Sequence, residues 1–134
     1  MNKIVLYWSG TGNTESMAQR IAGDLGCEAK SITSTFVDEV ADNDIFILGC
    51  PSMGSEELED SEFRPFFEDL MSKASGKKFA LFGSYGWGDG EWMRNWQDEL
   101  VALGGELLGN GLIANGDASA IDDAEYQEFL SNLQ

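Results

Sequence analysis

Three short apolar segments, residues 4–8, 45–48 and 79–82, constrain the fold of this chain more than any other feature of its sequence. None of them alternates apolar with polar residues, so each predicts a strand that is covered on both faces. Strands of that kind belong to parallel sheets, because the crossover connections of such a sheet place helices on both of its faces. The sequence therefore predicts a parallel sheet between two layers of helices.

Segments with helical spacing separate these strands. Apolar residues recur three or four positions apart in residues 17–25, 63–71, 92–103 and 126–133, which predicts four helices. Pro65 falls in the first turn of the second of these helices, where its missing amide is tolerated. Weaker patterns predict a second strand at residues 28–33 and a fifth at residues 107–113, the latter interrupted at Gly109, Asn110 and Gly111.

This order of elements predicts one α/β domain over residues 1–134, since no repeat or linker divides the chain. The fold class is a three-layer sandwich with a doubly wound, five-stranded parallel sheet in the strand order 2-1-3-4-5. Ligands of such sheets bind outside the carboxyl ends of the strands, at the switch between strands 1 and 3. Loops that contain glycine follow the three strongest strands, so we expect all three loops to meet at that edge.

The composition excludes several classes of function. Acidic residues number 24 against 8 basic ones, a net charge of −16, so neither nucleic acid nor a membrane surface is an expected partner. The charge fits plain solubility and attraction of a basic protein equally well. Histidine is absent, and Cys27 and Cys50 are far apart without a CxxC pattern, which predicts two buried free thiols and no metal site. No apolar run suits a signal peptide or a membrane span, so we expect a cytoplasmic protein.

The first loop, SGTGNT at residues 9–14, combines two glycines with four hydroxyl or amide side chains. Backbone amides next to the start of a helix form an anion site. The loop lacks the Gly-Lys-Ser/Thr of a P-loop, and Glu15 stands where a dinucleotide fingerprint has its third glycine. The pattern therefore favours a phosphate monoester held by neutral donors and a helix dipole over an ordinary capped turn.

The other two loops carry residues suited to a flat ligand. Tyr85 and Trp87 alternate with small residues, and large rings on an exposed loop favour a planar partner. The other interpretation is that Trp87 folds back onto the sheet edge. Met53 is polarizable and packs well on aromatic rings, while Gly54 allows the peptide before it to take either orientation.

The remaining tryptophans and carboxylates indicate structure rather than chemistry. Trp92 and Trp96 have helical spacing, which predicts core positions, and Trp8 is predicted to serve packing. The carboxylates of residues 56–62 have no nucleophile or metal-ligand spacing beside them. They are expected to begin a solvated helix, whose N-terminus favours negative charge.

Three segments together, YWSGTGNTE at 7–15, LGCPSMGSEELEDSEF at 48–63 and LFGSYGWGDGEWM at 81–93, resemble the short-chain flavodoxins of anaerobic bacteria. The order of strands and helices is similar over essentially the whole chain. The resemblance implies a flavodoxin-like fold and non-covalently bound FMN. It also implies low-potential one-electron transfer between redox proteins through a neutral semiquinone and an anionic hydroquinone, with no catalytic residue and no metal. Partners would be redox proteins with basic docking surfaces, and we expect a monomer.

The resemblance further implies which residues hold the cofactor. The phosphate would be held by side chains and amides of the first loop: Ser9, Gly10, Thr11, Gly12, Asn13 and Thr14. Met53 would cover the inner face of the flavin and Trp87 the outer face, and the peptide between Met53 and Gly54 would turn its carbonyl toward flavin N5. Glu56 would accept a hydrogen bond from flavin N3. Further contacts would come from the second and third loops: Pro51, Ser52, Ser84, Tyr85, Gly86, Gly88 and Asp89.

Two alternatives stay open. An FMN-dependent quinone or nitro-compound reductase of the same fold would need an open flavin face, which Trp87 would cover, and extra loops for which the chain is short. A receiver domain would need an aspartate after the third strand, where the chain has Gly49, Cys50 and Pro51. Residues 26–40 and 107–120 match the family weakly, so neither segment, including Asn115, is assigned a role.

Overall fold

The computed structural model describes all 134 residues, which form six strands and five helices. The strands are β1 (Lys3–Tyr7), β2 (Glu28–Ser31), β3 (Ile45–Gly49), β4 (Lys78–Ser84), β5 (Glu106–Leu107) and β6 (Leu112–Ala114). The helices are α1 (Asn13–Leu25), α2 (Val37–Val40), α3 (Phe63–Lys73), α4 (Glu91–Ala102) and α5 (Asp123–Ser131). All strand pairs are parallel, in the order β2-β1-β3-β4, with β5 and β6 both beside β4. This confirms the predicted sheet order 2-1-3-4-5.

The three central strands divide their side chains between two cores. On one face Leu6, Leu48 and Leu81 pack in a cluster with residues of α2, α3 and α4. On the other face Val5 and Ile47 pack with residues of α1 and α5. Because both faces are covered, both sets of side chains must be apolar. This explains why the central strands show no alternation in sequence.

The fifth position of the sheet is filled by two short strands rather than one. Gly109 has φ +78° between them, and the amide of Gly111 donates to Oε1 of Gln97 in α4 at 2.6 Å. A Cβ on Gly111 would lie 2.4 Å from the Met93 sulfur, so a larger residue here would displace the Met93 side chain of α4. The predicted interruption at residues 109–111 is therefore the point where α4 passes next to the sheet edge.

Residues 26–40 are as irregular as their weak pattern indicates. β2 ends at Ser31, and the predicted extension of this strand to Thr33 is wrong. The Ser31 hydroxyl accepts from the amide of Thr33 at 3.4 Å and caps a 3-10 turn, Ile32–Ser34. A serine that caps a turn leads the chain out of the sheet. α2 then makes a single turn whose two valines are buried.

The long helices begin and end close to the predicted positions. Gly26, with φ +68°, ends α1, and Pro65 lies in the first turn of α3. α5 ends at Ser131, although Leu133 beyond it is still buried. The Tyr126 hydroxyl donates to Asp24 of α1 at 2.6 Å and so ties α5 to α1. None of the helices combines the length and the apolar character needed to cross a membrane.

Candidate functional site

The carboxyl ends of β1, β3 and β4 lie side by side, as the register pairs Tyr7–Gly49 and Gly49–Phe82 require. The loops after these strands enclose a cavity of about 380 Å³, a size typical of small-molecule sites. Thirteen residues line it: Trp8, Gly10, Thr11, Asn13, Pro51, Ser52, Met53, Ser84, Tyr85, Gly86, Trp87, Asn115 and Gly116. Four segments that are far apart in sequence thus form one site.

The first loop carries a set of amides without protein partners. The Ser9 hydroxyl accepts from the amides of Gly12 at 3.1 Å and Glu15 at 3.3 Å. Five further amides have no acceptor within the protein, those of Ser9, Gly10, Thr11, Asn13 and Thr14. Because they lie at the N-terminus of α1, the loop can hold an anion with amides and helix dipole alone. No cationic side chain lines the cavity.

The hydroxyl side chains of this loop are placed differently from one another. Thr11 is exposed, lines the cavity, and its side chain makes no hydrogen bond within the protein. Thr14 is buried, and its Oγ1 lies 2.8 Å from the Oγ of Ser84, a bond that joins α1 to β4. Ser9, Gly12 and Thr14 do not line the cavity. Their predicted phosphate contacts stay predictions.

The second loop forms one wall of the cavity. Met53 and Glu57 exchange two backbone hydrogen bonds of 2.8 Å, which close a tight hairpin around Gly54. Gly54 has φ +50°, the left-handed conformation that glycine adopts without strain. Ser52 is tied to β4 through its amide, which donates to the Ser84 carbonyl at 3.0 Å. Its hydroxyl is buried and has no hydrogen-bond partner.

The third loop supplies the exposed ring. Trp87 is 58% exposed, so it does not fold back onto the sheet edge. The ring of Tyr85 instead packs on Trp92, with centroids 5.6 Å apart. Trp92 is buried and donates from Nε1 to the Cys50 carbonyl at 3.2 Å. Trp92 and Trp96 are core residues, as predicted.

Glu56 links the second loop to the third. Its Oε1 accepts from the amides of Asp89 at 3.2 Å and Gly90 at 3.3 Å, at the start of α4. It is the one residue other than glycine with a positive φ, +57°, a conformation that costs free energy. Gly54, Glu56, Gly88 and Asp89 do not line the cavity. Glu56 thus holds two walls of the cavity together, and its predicted bond to flavin N3 stays a prediction.

Three residues that line the cavity were absent from the predicted contacts. Trp8 lines it while donating from Nε1 to Oε1 of Glu62 at 3.1 Å. Its position directly after the first strand indicates a place at the edge of the sheet where the site lies. Asn115 and Gly116 follow β6 and so lie at the same sheet edge. The split of the fifth strand hid them in the sequence.

The residues present fit FMN. The unpartnered amides of the first loop form a neutral pocket for a phosphate monoester. Across the same cavity, Met53 and the exposed Trp87 provide apolar surface for a planar ring. The buried Ser52 hydroxyl needs a hydrogen-bond partner, and a polar group of a ligand can supply one. One end of the cavity therefore suits an anion and the other a heteroaromatic ring.

The two cysteines allow a simple check of this geometry. Both are free, but Cys27 is half-buried rather than buried as predicted, whereas Cys50 is fully buried at the end of β3. Burial raises the pKa of the Cys50 thiol to about 12, despite the amide of Glu59 donating to its sulfur. At pH 8 only about one Cys50 in ten thousand is therefore a thiolate, the reactive form.

We expect Ellman's reagent to modify Cys27 alone in the folded protein, and both cysteines in urea. Equal rates at both sites in the folded protein would contradict the burial, and Cys27→Ser should leave no reactive thiol.

Comparison with known proteins gives a consistent result. The sequence model of the family described as flavodoxin matches residues 5–129. The flavodoxin of Megasphaera elsdenii is 50% identical over 114 residues, covering 81% of this chain and 83% of that protein. The flavodoxin of Clostridium beijerinckii is 43% identical over 136 aligned positions, covering 96% of this chain and 99% of that protein. The solution structure of two-electron reduced Megasphaera elsdenii flavodoxin matches with a TM-score of 0.87 and 42% identity, over 98% of this chain and 99% of that one.

Proposed function

This chain belongs to the flavodoxin family, and we propose that it holds FMN with the phosphate on the first loop and the ring between Met53 and Trp87. The protein is an FMN-binding carrier of electrons between redox proteins rather than an enzyme with a substrate.

One observation carries the proposal: three kinds of unsatisfied group line or border a single cavity. These are the unpartnered amides of the first loop, the buried hydroxyl of Ser52 and the exposed ring of Trp87. The buried hydroxyl is costly without a partner, a large exposed ring often marks a binding site, and free amides at a helix start can hold an anion. A ligand with an anionic end, polar ring atoms and a flat apolar surface satisfies all three.

When bound, FMN supplies one-electron chemistry, and this chain sets how readily the cofactor is reduced. The second loop carries five carboxylates in residues 56–62, and no cationic side chain lines the cavity. Added negative charge in the cavity is therefore disfavoured by repulsion, and removal of water from the ring strengthens that repulsion. A low midpoint potential follows for the step that adds this charge.

An anaerobic dithionite titration of the purified protein, supplied with FMN and followed by visible absorption, tests the function. We expect bound FMN that is reduced in two separated one-electron steps, the second at low potential. Reduction in a single two-electron step would favour the reductase alternative. A protein that binds no FMN would instead belong to the class of flavin-free binding modules.

Gly54→Ala tests the role of the hairpin at Met53. No atom lies within 4 Å of a Cβ at this position, so the substitution acts only through the backbone, whose φ is +50°. A residue with a Cβ loses about 1–2 kcal/mol in this conformation. We propose that this is the conformation in which the Met53 carbonyl faces flavin N5, so that destabilising it narrows the separation between the two one-electron midpoint potentials. The expected change is about 40–80 mV, since about 59 mV corresponds to 1.4 kcal/mol for one electron. An unchanged separation would contradict a conformational role for this peptide.

The acidic surface is proposed to guide partners. Redox proteins are the partners of this family, and the net charge of −16 attracts those with a basic docking surface. We expect the rate of electron transfer to a basic partner to fall at least about tenfold between 10 mM and 500 mM salt, as the Debye length shortens. A neutral small-molecule acceptor is the control, because its rate should not depend on salt. Equal salt dependence for both acceptors would contradict steering.

We also propose that the protein acts as a monomer in a reducing compartment, the cytoplasm. Its cysteines, Cys27 and Cys50, are both free thiols, as is typical of reducing compartments. The cofactor cavity is formed by one chain alone, so a second copy is not needed to complete it. Sedimentation of the FMN-loaded protein at several concentrations tests the monomer, which a concentration-dependent mass would exclude.

A further inference from the structure

Glu59 is a buried carboxylate without a basic partner. Only 7% of the residue is exposed, and no lysine or arginine forms an ion pair with it. The carboxylate instead accepts from the amide and hydroxyl of Ser61 and from the amides of Glu62 and Phe63, the last two at 2.7 Å each. Because it accepts from the amides at the start of α3, Glu59 caps this helix. The side chain of the N-cap residue itself, Glu62, makes no such bond.

The main chain of Glu59 is tied on its other side to the sheet. Its amide donates to the Cys50 sulfur at 3.4 Å, and its carbonyl accepts from the amide of Arg64 at 3.0 Å. Cys50 is in turn bound to β4 through its amide and the Phe82 carbonyl, at 3.2 Å. Residues 51–58, which include the hairpin at Met53, are therefore held between two fixed points, Cys50 and Glu59.

We propose that Glu59 is a positioning residue that fixes the Met53–Gly54 wall against the flavin. It does not line the cavity, so it acts through the loop that it anchors. The inference rests on the proposed function, in which this wall contacts FMN. A carboxylate with four hydrogen bonds immobilises the end of the loop, so that the hairpin is in place before the cofactor binds. Removal of these bonds lets the loop move and weakens binding.

The titration of Glu59 agrees with this geometry. Burial alone raises the pKa of a carboxyl group, but the hydrogen bonds from Ser61, Phe63 and Glu62 outweigh the burial and hold the pKa of Glu59 below its ordinary value. The charged form is therefore the one that the folded loop stabilises. Glutamine has the same shape but only one acceptor oxygen. If that oxygen accepts from the amides of Glu62 and Phe63, the NH2 group faces the amide of Ser61, which is itself a donor.

The charge of Glu59 must be separated from its hydrogen bonds. Asp60 is its neighbour, is exposed and makes no side-chain hydrogen bond. Asp60→Asn thus removes one negative charge from the same loop without releasing an anchor. Ser61→Ala has the opposite effect, because it keeps every charge and deletes one hydrogen bond to the Glu59 carboxylate.

The test compares Glu59→Gln, Ser61→Ala and Asp60→Asn in the full chain. For each variant, FMN affinity of the apoprotein, the separation between the two midpoint potentials and urea stability are measured. We expect Glu59→Gln to weaken FMN binding at least about tenfold and to change the separation, and Ser61→Ala to weaken binding about threefold in the same direction. Asp60→Asn should change affinity by less than about twofold and shift both potentials together. If Glu59→Gln does not fold, the same measurements on Ser61→Ala test the inference, because Ser61 is exposed and its substitution should leave the fold intact.

Several outcomes would overturn the inference. If Glu59→Gln and Asp60→Asn change FMN affinity and the separation between the potentials by the same amounts, Glu59 acts only through its charge. If Glu59→Gln or Ser61→Ala increases hydrogen exchange at the amides of Glu62 and Phe63 but leaves affinity and separation unchanged, Glu59 is only a helix cap. Gly54→Ala separates this failure from failure of the proposed function. If Gly54→Ala changes the separation between the midpoint potentials and Glu59→Gln does not, only the role of Glu59 is contradicted. If the wild-type protein binds no FMN, the proposed function itself is contradicted.

Discussion

FMN is expected to bind the apoprotein at least about a thousandfold more tightly than riboflavin, which lacks only the phosphate. The first loop offers five amides with no protein acceptor, at the N-terminus of α1, where the helix dipole favours an anion. A hydrogen bond to a charged group contributes about 1.5–3 kcal/mol, so three of them correspond to a thousandfold or more in Kd. The ring system is common to both ligands and cancels from the ratio. Flavin fluorescence during titration of the apoprotein measures both constants.

Thr11→Ala tests which part of the ligand the first loop holds. Thr11 is exposed and lines the cavity, and its hydroxyl has no partner in the protein, so its loss should not disturb the fold. We expect the Kd of FMN to rise about tenfold and that of riboflavin to change less than about twofold, because only FMN presents a charged acceptor. Equal losses for the two ligands would assign Thr11 to the ring. A wild-type ratio below tenfold would contradict the phosphate site altogether.

The fold could be predicted from the sequence because its strongest signals are local. A strand buried on both faces must be continuously apolar, and β1, β3 and β4 show this plainly. Together with the helical segments between them, they leave few topologies. The signals fail where neighbours decide the structure. The extent of β2 depends on the Ser31 cap, and the gap between β5 and β6 depends on the approach of α4.

The location of the site was equally predictable, because the carboxyl ends of parallel strands meet at one edge. The individual contacts remain predictions, and the folded chain adds bonds that the sequence does not reveal. Thr14 is predicted to hold the phosphate, and its hydroxyl also bonds to Ser84, seventy residues away. Glu56 is predicted to contact the flavin, and its Oε1 also accepts from the amides of Asp89 and Gly90. Such long-range bonds follow from the folded chain and leave no local pattern.

Gly83→Ala is expected to lower the free energy of unfolding by about 3 kcal/mol or more, the upper range for an overpacked position. A Cβ on Gly83 would lie 2.2 Å from the Cys50 carbonyl oxygen and 3.1 Å from the Trp92 ring. The first clash is with backbone, so rotation of a side chain cannot relieve it, and β3 and β4 must separate. That separation strains the bond from the Cys50 amide to the Phe82 carbonyl and the bond from Trp92 Nε1 to the Cys50 carbonyl, both 3.2 Å.

Gly23→Ala is the matched control, because the same added methyl group should have the opposite effect there. Gly23 is exposed in the interior of α1, and no atom lies within 4 Å of its Cβ position. Alanine in a helix is favoured over glycine by about 0.5–1 kcal/mol. Urea unfolding of the two variant apoproteins and the wild type measures both changes in the free energy of unfolding. The dependence of that free energy on urea concentration is compared among the three proteins. A Gly83→Ala protein as stable as wild type would contradict the close approach of β3 and β4. If only Gly83→Ala is destabilised, and FMN affinity falls with it, then the spacing of β3 and β4 supports the cofactor walls that continue from Cys50 and Ser84.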